Sequence, residues 1–307
     1  MNSEKRVDDT PPTREGKPTQ RHLLASLLIV FLYVVFTILL PSPPWEKNPL
    51  VLVNATVFGP LIWFVIVPRL LGFPFGRQPL TDYLEKIRLI KVQPMGRNIA
   101  LGAAFAVLFA ITAQIFMLLS GSYVFDLAQV FPPDTWILFT AIVPGFWEEV
   151  AFRGIIFSLL LMKQDKTKAI ILSAVLFAAP HSLNLLTVGS TLYEVYFVLA
   201  QVGFTFFIGL FLADLVTLTY SLLPGIVFHY IVAAFSPLVI NTPGADPVVR
   251  GILLLLGAGV VPTVIAMLVV KGLLRAEKEG SITLKNGEEK RFEEIRKDVG
   301  TARADST

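Results

Sequence analysis

The 307-residue chain contains no cysteine. Disulfides, thiolate zinc sites, thiol nucleophiles and S-palmitoyl anchors are therefore excluded. Charge is scarce as well: Asp, Glu, Lys and Arg make up 16% of the residues, against about 25% in an average soluble protein. Of the 26 Lys plus Arg and 23 Asp plus Glu, 33 are confined to residues 1–22, 72–97 and 271–307. The stretches between are almost uncharged, whereas a soluble chain scatters its charges. A net charge of +3 is too small to indicate a nucleic-acid partner. Histidine, too, occurs only three times. Hydrophobic residues are in excess, at 54% against about 45–50%, so the partner this composition calls for is the lipid bilayer.

A helix crossing the hydrocarbon core needs roughly 20 apolar residues. About eight such stretches can be marked, near 23–40, 50–71, 98–119, 135–160, 167–188, 195–220, 222–240 and 250–273. The expected fold class is all-α: a polytopic integral membrane protein with about eight transmembrane helices enclosing a cytosol-facing cavity. Residues 1–22 read as a disordered tail, 23–273 as the membrane domain, and 274–307 as a charged tail in which 281–292, around Asn286-Gly287, suits a small hairpin. The first stretch follows 22 polar residues and runs into Pro41, Pro43 and Pro44 without a small-residue cleavage site, so it is expected to stay as an anchor. Basic residues set the orientation. Lys5, Arg6, Arg14, Lys17 and Arg21, then Arg77, Lys86, Arg88, Lys91 and Arg97, then Lys163, Lys166 and Lys168, and finally Lys271 and Arg275 all fall on one side of an eight-span layout. The other side has Lys47 and Arg250. The positive-inside rule then places both termini in the cytosol. The 72–97 loop interleaves Leu80, Tyr83, Leu84, Ile87 and Leu89 with charges and reads as an amphipathic segment on the cytosolic face.

Ionisable residues inside spans are costly, by at least about 2.5–3.5 kcal/mol for a charged one at mid-helix, and so point to function. They are Glu148, Glu149 and Arg153 in the fourth stretch, His181 in the fifth, Asp214 in the sixth and His229 in the seventh. Glu149 and Arg153 are four apart with the acid first, the favoured order for a helical ion pair, and that pair alone has a structural reading as a lock between helices. Glu148 points about 100° away and has no in-helix partner. In a dry site such a carboxylate is suited to take a proton from water. At 1.5 Å per residue, His181 lies about 21 Å, Glu148 about 20 Å and His229 about 10 Å from the cytosolic edge, with Pro180 loosening the helix just before His181. Two imidazoles and a carboxylate in one cavity can activate a water directly, or hold a zinc through Glu148, His181 and His229 that does so. Either arrangement describes a hydrolase, and the residues leave the metal-free and zinc versions equally open. Asp214, near a span end, reads as structural, and His22 as an interface residue.

The sequence has no HExxH and no GxSxG, and Gly257-Ala258-Gly259 lacks the aspartate of an intramembrane aspartyl protease. What remains is the glutamate–histidine–histidine set, and in it the chain resembles the CAAX prenyl protease type II and bacteriocin-processing (CPBP, or Abi) membrane endopeptidases. The family's EExxxR matches Glu148-Glu149-Val150-Ala151-Phe152-Arg153, its FxxxH matches Phe177-Ala178-Ala179-Pro180-His181, and its third-motif histidine, after a Ser-Leu-x-Pro turn, matches Ser221-Leu222-Leu223-Pro224 and His229. The matched core spans roughly 140–235. The resemblance implies an intramembrane endopeptidase acting near the C-terminus of prenylated CAAX proteins or on related membrane-associated peptides. It implies that Glu148 activates the water, that His181 and His229 assist, and that Arg153 positions the glutamates. One departure stands out. The family often has Asn or Asp four residues after the third-motif histidine, where this chain has Ala233; losing one oxyanion donor costs about 2.7–4 kcal/mol. Asn184 and Tyr230 are the substitutes to consider. Two other functions remain: an inactive scaffold or binding protein that keeps the fold, motivated by Ala233, and a proton-coupled transporter using Glu148 and the histidines as a relay. The absence of an internal repeat weighs against the transporter.

Overall fold

The computed structural model describes residues 24–25, 27–32, 53–92, 94–119, 123–125, 135–186, 191–235, 239–241 and 246–273. Both proposed tails, the 281–292 hairpin and most of the first predicted span lie outside these residues. Among the described residues the chain is helical apart from one two-stranded ribbon. Besides the helical residues 24–25 and 27–32, the helices are α1 (Asn54–Leu70), α2 (Arg77–Lys86), α3 (Met95–Leu119), α4 (135–161), α5 (Lys166–Leu186), α6 (Leu192–Thr219), α7 (Leu223–Phe235) and α8 (Pro247–Leu273). The ribbon pairs β1 (Tyr123–Phe125) antiparallel with β2 (Val239–Asn241), Val124 facing Ile240.

Four helices, α3, α5, α6 and α8, are long and apolar enough to cross a membrane, consistent with an integral membrane protein. Their apolar residues face outward as well as inward: on α3, Val107, Ile111, Ile115 and Leu118 form an exposed row, which in water would be a liability but in hydrocarbon is a lipid-facing surface. The other stretches read as spans differ from expectation for visible reasons. Helix α4 holds three charges, Glu148, Glu149 and Arg153. Helix α7 is described to Phe235, five residues before the expected limit, and Val239–Asn241 form β2. Helix α1 is a shorter apolar helix.

Polar chemistry sets the helix ends. Asp165 caps α5 by accepting from the Lys168 amide at 3.0 Å, and Thr191 with Glu194 forms a capping box at the start of α6. Helix α6 ends at Tyr220 in the left-handed conformation, and the Ser221 hydroxyl then accepts from the Leu223 amide at 3.0 Å to open α7. Contacts along α5 and α6 show that they run antiparallel: Lys166 meets Asp214 and Asn184 meets Gln201. The bundle therefore has one end where α4, α6 and α8 finish and α5 and α7 begin. Arg88, in the loop after α2, joins that end by accepting from the Leu222 amide at 3.0 Å. This basic end also carries Lys86, Lys91, Lys163, Lys166, Lys168 and Lys271.

The core is aromatic. Phe109, Phe211 and Phe228 bring α3, α6 and α7 together with ring centroids 4.9–5.7 Å apart. Backbones approach closely where small residues allow it, as membrane helices do. A Cβ on Gly102 would lie 2.4 Å from the Pro224 carbonyl, fixing α3 on α7, and one on Gly145 would lie 2.7 Å from Tyr230 Cα, fixing α4 on α7.

Candidate active site

Two packing anchors set the rotation of α4. The Trp147 ring is buried over Gly59 of α1, and its indole N–H donates to the Ala55 carbonyl at 3.1 Å. With Trp147 turned into α1, the next two residues divide: the Glu149 side chain is wholly buried, while the Glu148 side chain is 18% exposed. From 150 to 156 every residue of α4 is buried, so Arg153 has no route to water. Much of this stretch is wound more widely than an α-helix, with π-type turns over Val143–Glu148 and Val150–Ile156, a winding often found at functional sites.

Arg153 Nη1 donates to Glu149 Oε1 at 3.0 Å, with both side chains fully buried. The same oxygen lies 3.0 Å from His229 Nδ1, eighty residues along the chain. The expected ion pair is thus present and extended: Glu149 ties α4 to α7 through the imidazole. Gly225 makes room for it, since a Cβ there would lie 3.0 Å from Glu149 Oε2. Phe228, locked in the aromatic core, turns the adjacent His229 toward α4. The other nitrogen, His229 Nε2, faces Glu148 Oε2 at 4.0 Å. Among the described residues Glu148 makes no other hydrogen bond or ion pair and has no partner within its own helix.

Phe177 organises the remaining side. The Arg153 guanidinium stacks 3.9 Å over its ring, a cation–π contact strengthened by the absence of water. His181 and His229 both meet the same ring edge-on, at centroid distances of 5.6 and 5.8 Å. The two histidines are therefore neighbours across Phe177. No hydrogen bond or ion pair joins His181 to either glutamate. Its Nδ1 instead lies 3.1 Å from the Phe177 carbonyl. The helix does change at Pro180, but by tightening where loosening was expected: α5 passes from α-helix to 3-10 winding at Ala179.

Tautomers follow from these partners. A carbonyl only accepts, so His181 Nδ1 carries a proton; Glu149, ion-paired to Arg153, likewise accepts from His229 Nδ1. A neutral ring in that tautomer keeps a lone pair on Nε2. Those tautomers would suit metal ligands, but the placement does not: among the described residues, no three of His, Asp and Glu stand close enough to hold a metal ion. The zinc set of Glu148, His181 and His229 does not fit this arrangement. The two substitute donors are also committed elsewhere. Asn184 donates to the Gln201 side chain at 2.8 Å, and the Tyr230 hydroxyl donates to the Leu138 carbonyl at 3.1 Å. Ala233, one turn beyond His229, supplies no polar group.

Sequence reasoning gave no role to Phe177 or Gly225. Phe177 stood in a motif, but a ring that touches an arginine and two histidines from three helices is visible only once those helices are packed. Asp214 is buried at the basic end, between Lys166 at 3.7 Å and Lys271 at 3.4 Å, and serves there as a clip joining α5, α6 and α8. Compared with known families, residues 132–235 match the family model described as Type II CAAX prenyl endopeptidase Rce1-like, a segment that holds all three motifs and the site built from them. No curated protein matches the chain.

Proposed function

We propose, from the premise that residues 132–235 form a type II CAAX endopeptidase segment, that this protein is an intramembrane endopeptidase that hydrolyses a peptide bond near the C-terminus of prenylated or otherwise membrane-associated substrates. The observation carrying this reading is the buried array Arg153–Glu149–His229, which aims His229 Nε2 at the Glu148 carboxyl. The span between His229 Nε2 and Glu148 Oε2, at 4.0 Å, is too wide for a direct hydrogen bond and suits a water shared by both.

In this mechanism Glu148 takes a proton from that water as its oxygen bonds to the scissile carbonyl carbon. The proton is then delivered to the leaving nitrogen as the C–N bond breaks, giving a carboxylate and an amine. Glu149 fixes the aim of His229, and Arg153 holds the Glu149 carboxyl in place at 3.0 Å; both are positioning residues. His181, across Phe177, offers a second proton acceptor. Eight spans with both termini in the cytosol complete the picture. The basic end of the bundle then faces the cytosol, so that a prenyl chain enters from the bilayer while its peptide reaches Glu148 from water.

A second reading, an inactive scaffold that keeps the fold, draws on Ala233. The two separate on one assay: cleavage of a farnesylated CAAX peptide and its unmodified counterpart by purified protein in lipid nanodiscs, with a chelator in a parallel sample. The peptidase reading expects cleavage of the farnesylated peptide. Absence of cleavage of both peptides by folded protein would overturn it in favour of the scaffold.

A further inference from the structure

At the basic end, α2, the loop after it and the last turns of α4 enclose a cavity of about 240 Å³ that shares no lining residue with the glutamate–histidine site. Among the described residues, three polar atoms of the residues around it are buried without a hydrogen-bond partner: Tyr83 Oη, Arg88 Nη1 and Ser158 Oγ. Buried polar groups are rarely left so, and here three belong to residues from three different elements around one cavity. The Tyr83 side chain is 0% exposed and its ring is held edge-on against Phe73 at 5.6 Å. Burial pushes its hydroxyl's pKa up, so it stays protonated as a donor. Arg88 is held in a left-handed backbone conformation at φ 63°, its carbonyl tied to the Leu222 amide. A non-glycine residue in that conformation is found where the surroundings impose it. The carboxylate in this neighbourhood, Glu85, is occupied by Lys91. Exposed Lys86 stands at the rim with its ammonium 5.1 Å over Phe73, and Ile155 and Leu159 supply an apolar wall.

We propose that this cavity binds the phosphate-bearing head of one anionic membrane lipid. A guanidinium N–H and two hydroxyls make a donor set for a phosphate oxyanion, and a basic pocket between helix ends at the membrane surface is where such heads lie. The volume takes a head group and not a whole lipid, leaving the acyl chains to run along the apolar exterior. The cavity wall includes Gly154 and Ile155, next to Arg153, so the bound lipid would brace the helix that carries the candidate catalytic groups. This inference stands on the cavity alone and is tested without reference to peptidase activity.

The test is native mass spectrometry of the full-length protein released from micelles doped equally with phosphatidylglycerol and phosphatidylcholine. Phosphatidylglycerol should be retained preferentially. Retention should fall about tenfold or more in Tyr83→Phe/Arg88→Gln, the scale of losing a charged hydrogen bond, and should survive millimolar inorganic phosphate. Tyr83→Phe alone removes one oxygen from a buried ring; it should weaken retention at an unchanged melting temperature, so the outcome does not depend on the double variant folding. Equal retention of both lipids, full retention by the folded variants, or displacement by free phosphate would each overturn the assignment.

Discussion

Two buried acids in this bundle are surrounded by cations in opposite ways. Asp214 lies between Lys166 and Lys271, whose side chains are 53% and 55% exposed; the charge is answered by groups that keep their own hydration. Glu149 is answered by Arg153, itself 0% exposed, and shares its oxygen with an imidazole. The first arrangement is a clip at a helix end, tolerant of change because water can replace either lysine. The second has no such reserve, since both of its partners are 0% exposed. An ion pair held so far from water is weak support for stability, and its geometric consequence is to orient His229 toward Glu148.

The sharpest way to break this contrast is Glu148→Gln. Replacing a general base should lower turnover by about 10²–10⁴-fold with the melting temperature unchanged, because Glu148 takes no part in the buried pair. Next in size is Arg153→Met. Leaving Glu149 uncompensated should cost about 3–5 kcal/mol, read as a lowered unfolding midpoint in detergent, and Glu149→Gln added to it should recover part of the loss. Equal stability of wild type and Arg153→Met would remove the distinction between the two acids.

Much of this was legible beforehand because it rested on local spacing. The Glu149–Arg153 pairing follows from four-residue separation on one helix, the freedom of Glu148 from its position one residue earlier, and a change of winding near Ala179, though not its tightening, from Pro180. The link from Glu149 to His229 spans eighty residues and depends on how α4 and α7 meet at Gly145 and Tyr230. Hydropathy has no access to that contact. Nor does it register where an apolar run stops being helix: residues 222–240 read as one span, yet Val239–Asn241 form β2. The residues named for a zinc, had one been used, are a related case: depth along a helix brings His181 to the right level but does not fix which way its ring points, and among the described residues no three of His, Asp and Glu stand close enough to hold a metal ion.

Gly225→Ala refines the contrast at smaller scale. The added methyl would stand 3.0 Å from Glu149 Oε2, and overpacking of this kind costs about 1–3 kcal/mol. Because it displaces the group that aims His229, kcat should fall while KM holds; a change in KM alone would place Gly225 in substrate binding instead. The smallest effect is expected at Asp214→Asn. With its lysines at the water boundary, the loss should be within about 0–1 kcal/mol, checked by thermal unfolding, with peptidase activity intact.

The most direct test sets the two acids side by side: turnover of a farnesylated CAAX peptide in nanodiscs by wild type, Glu148→Gln and Asp214→Asn, at matched folded fractions. The account predicts cleavage by wild type and Asp214→Asn and its collapse in Glu148→Gln. Cleavage that survives in Glu148→Gln, or that is lost equally in Asp214→Asn, would contradict the claim that the α4–α7 array is the chemical centre of this protein.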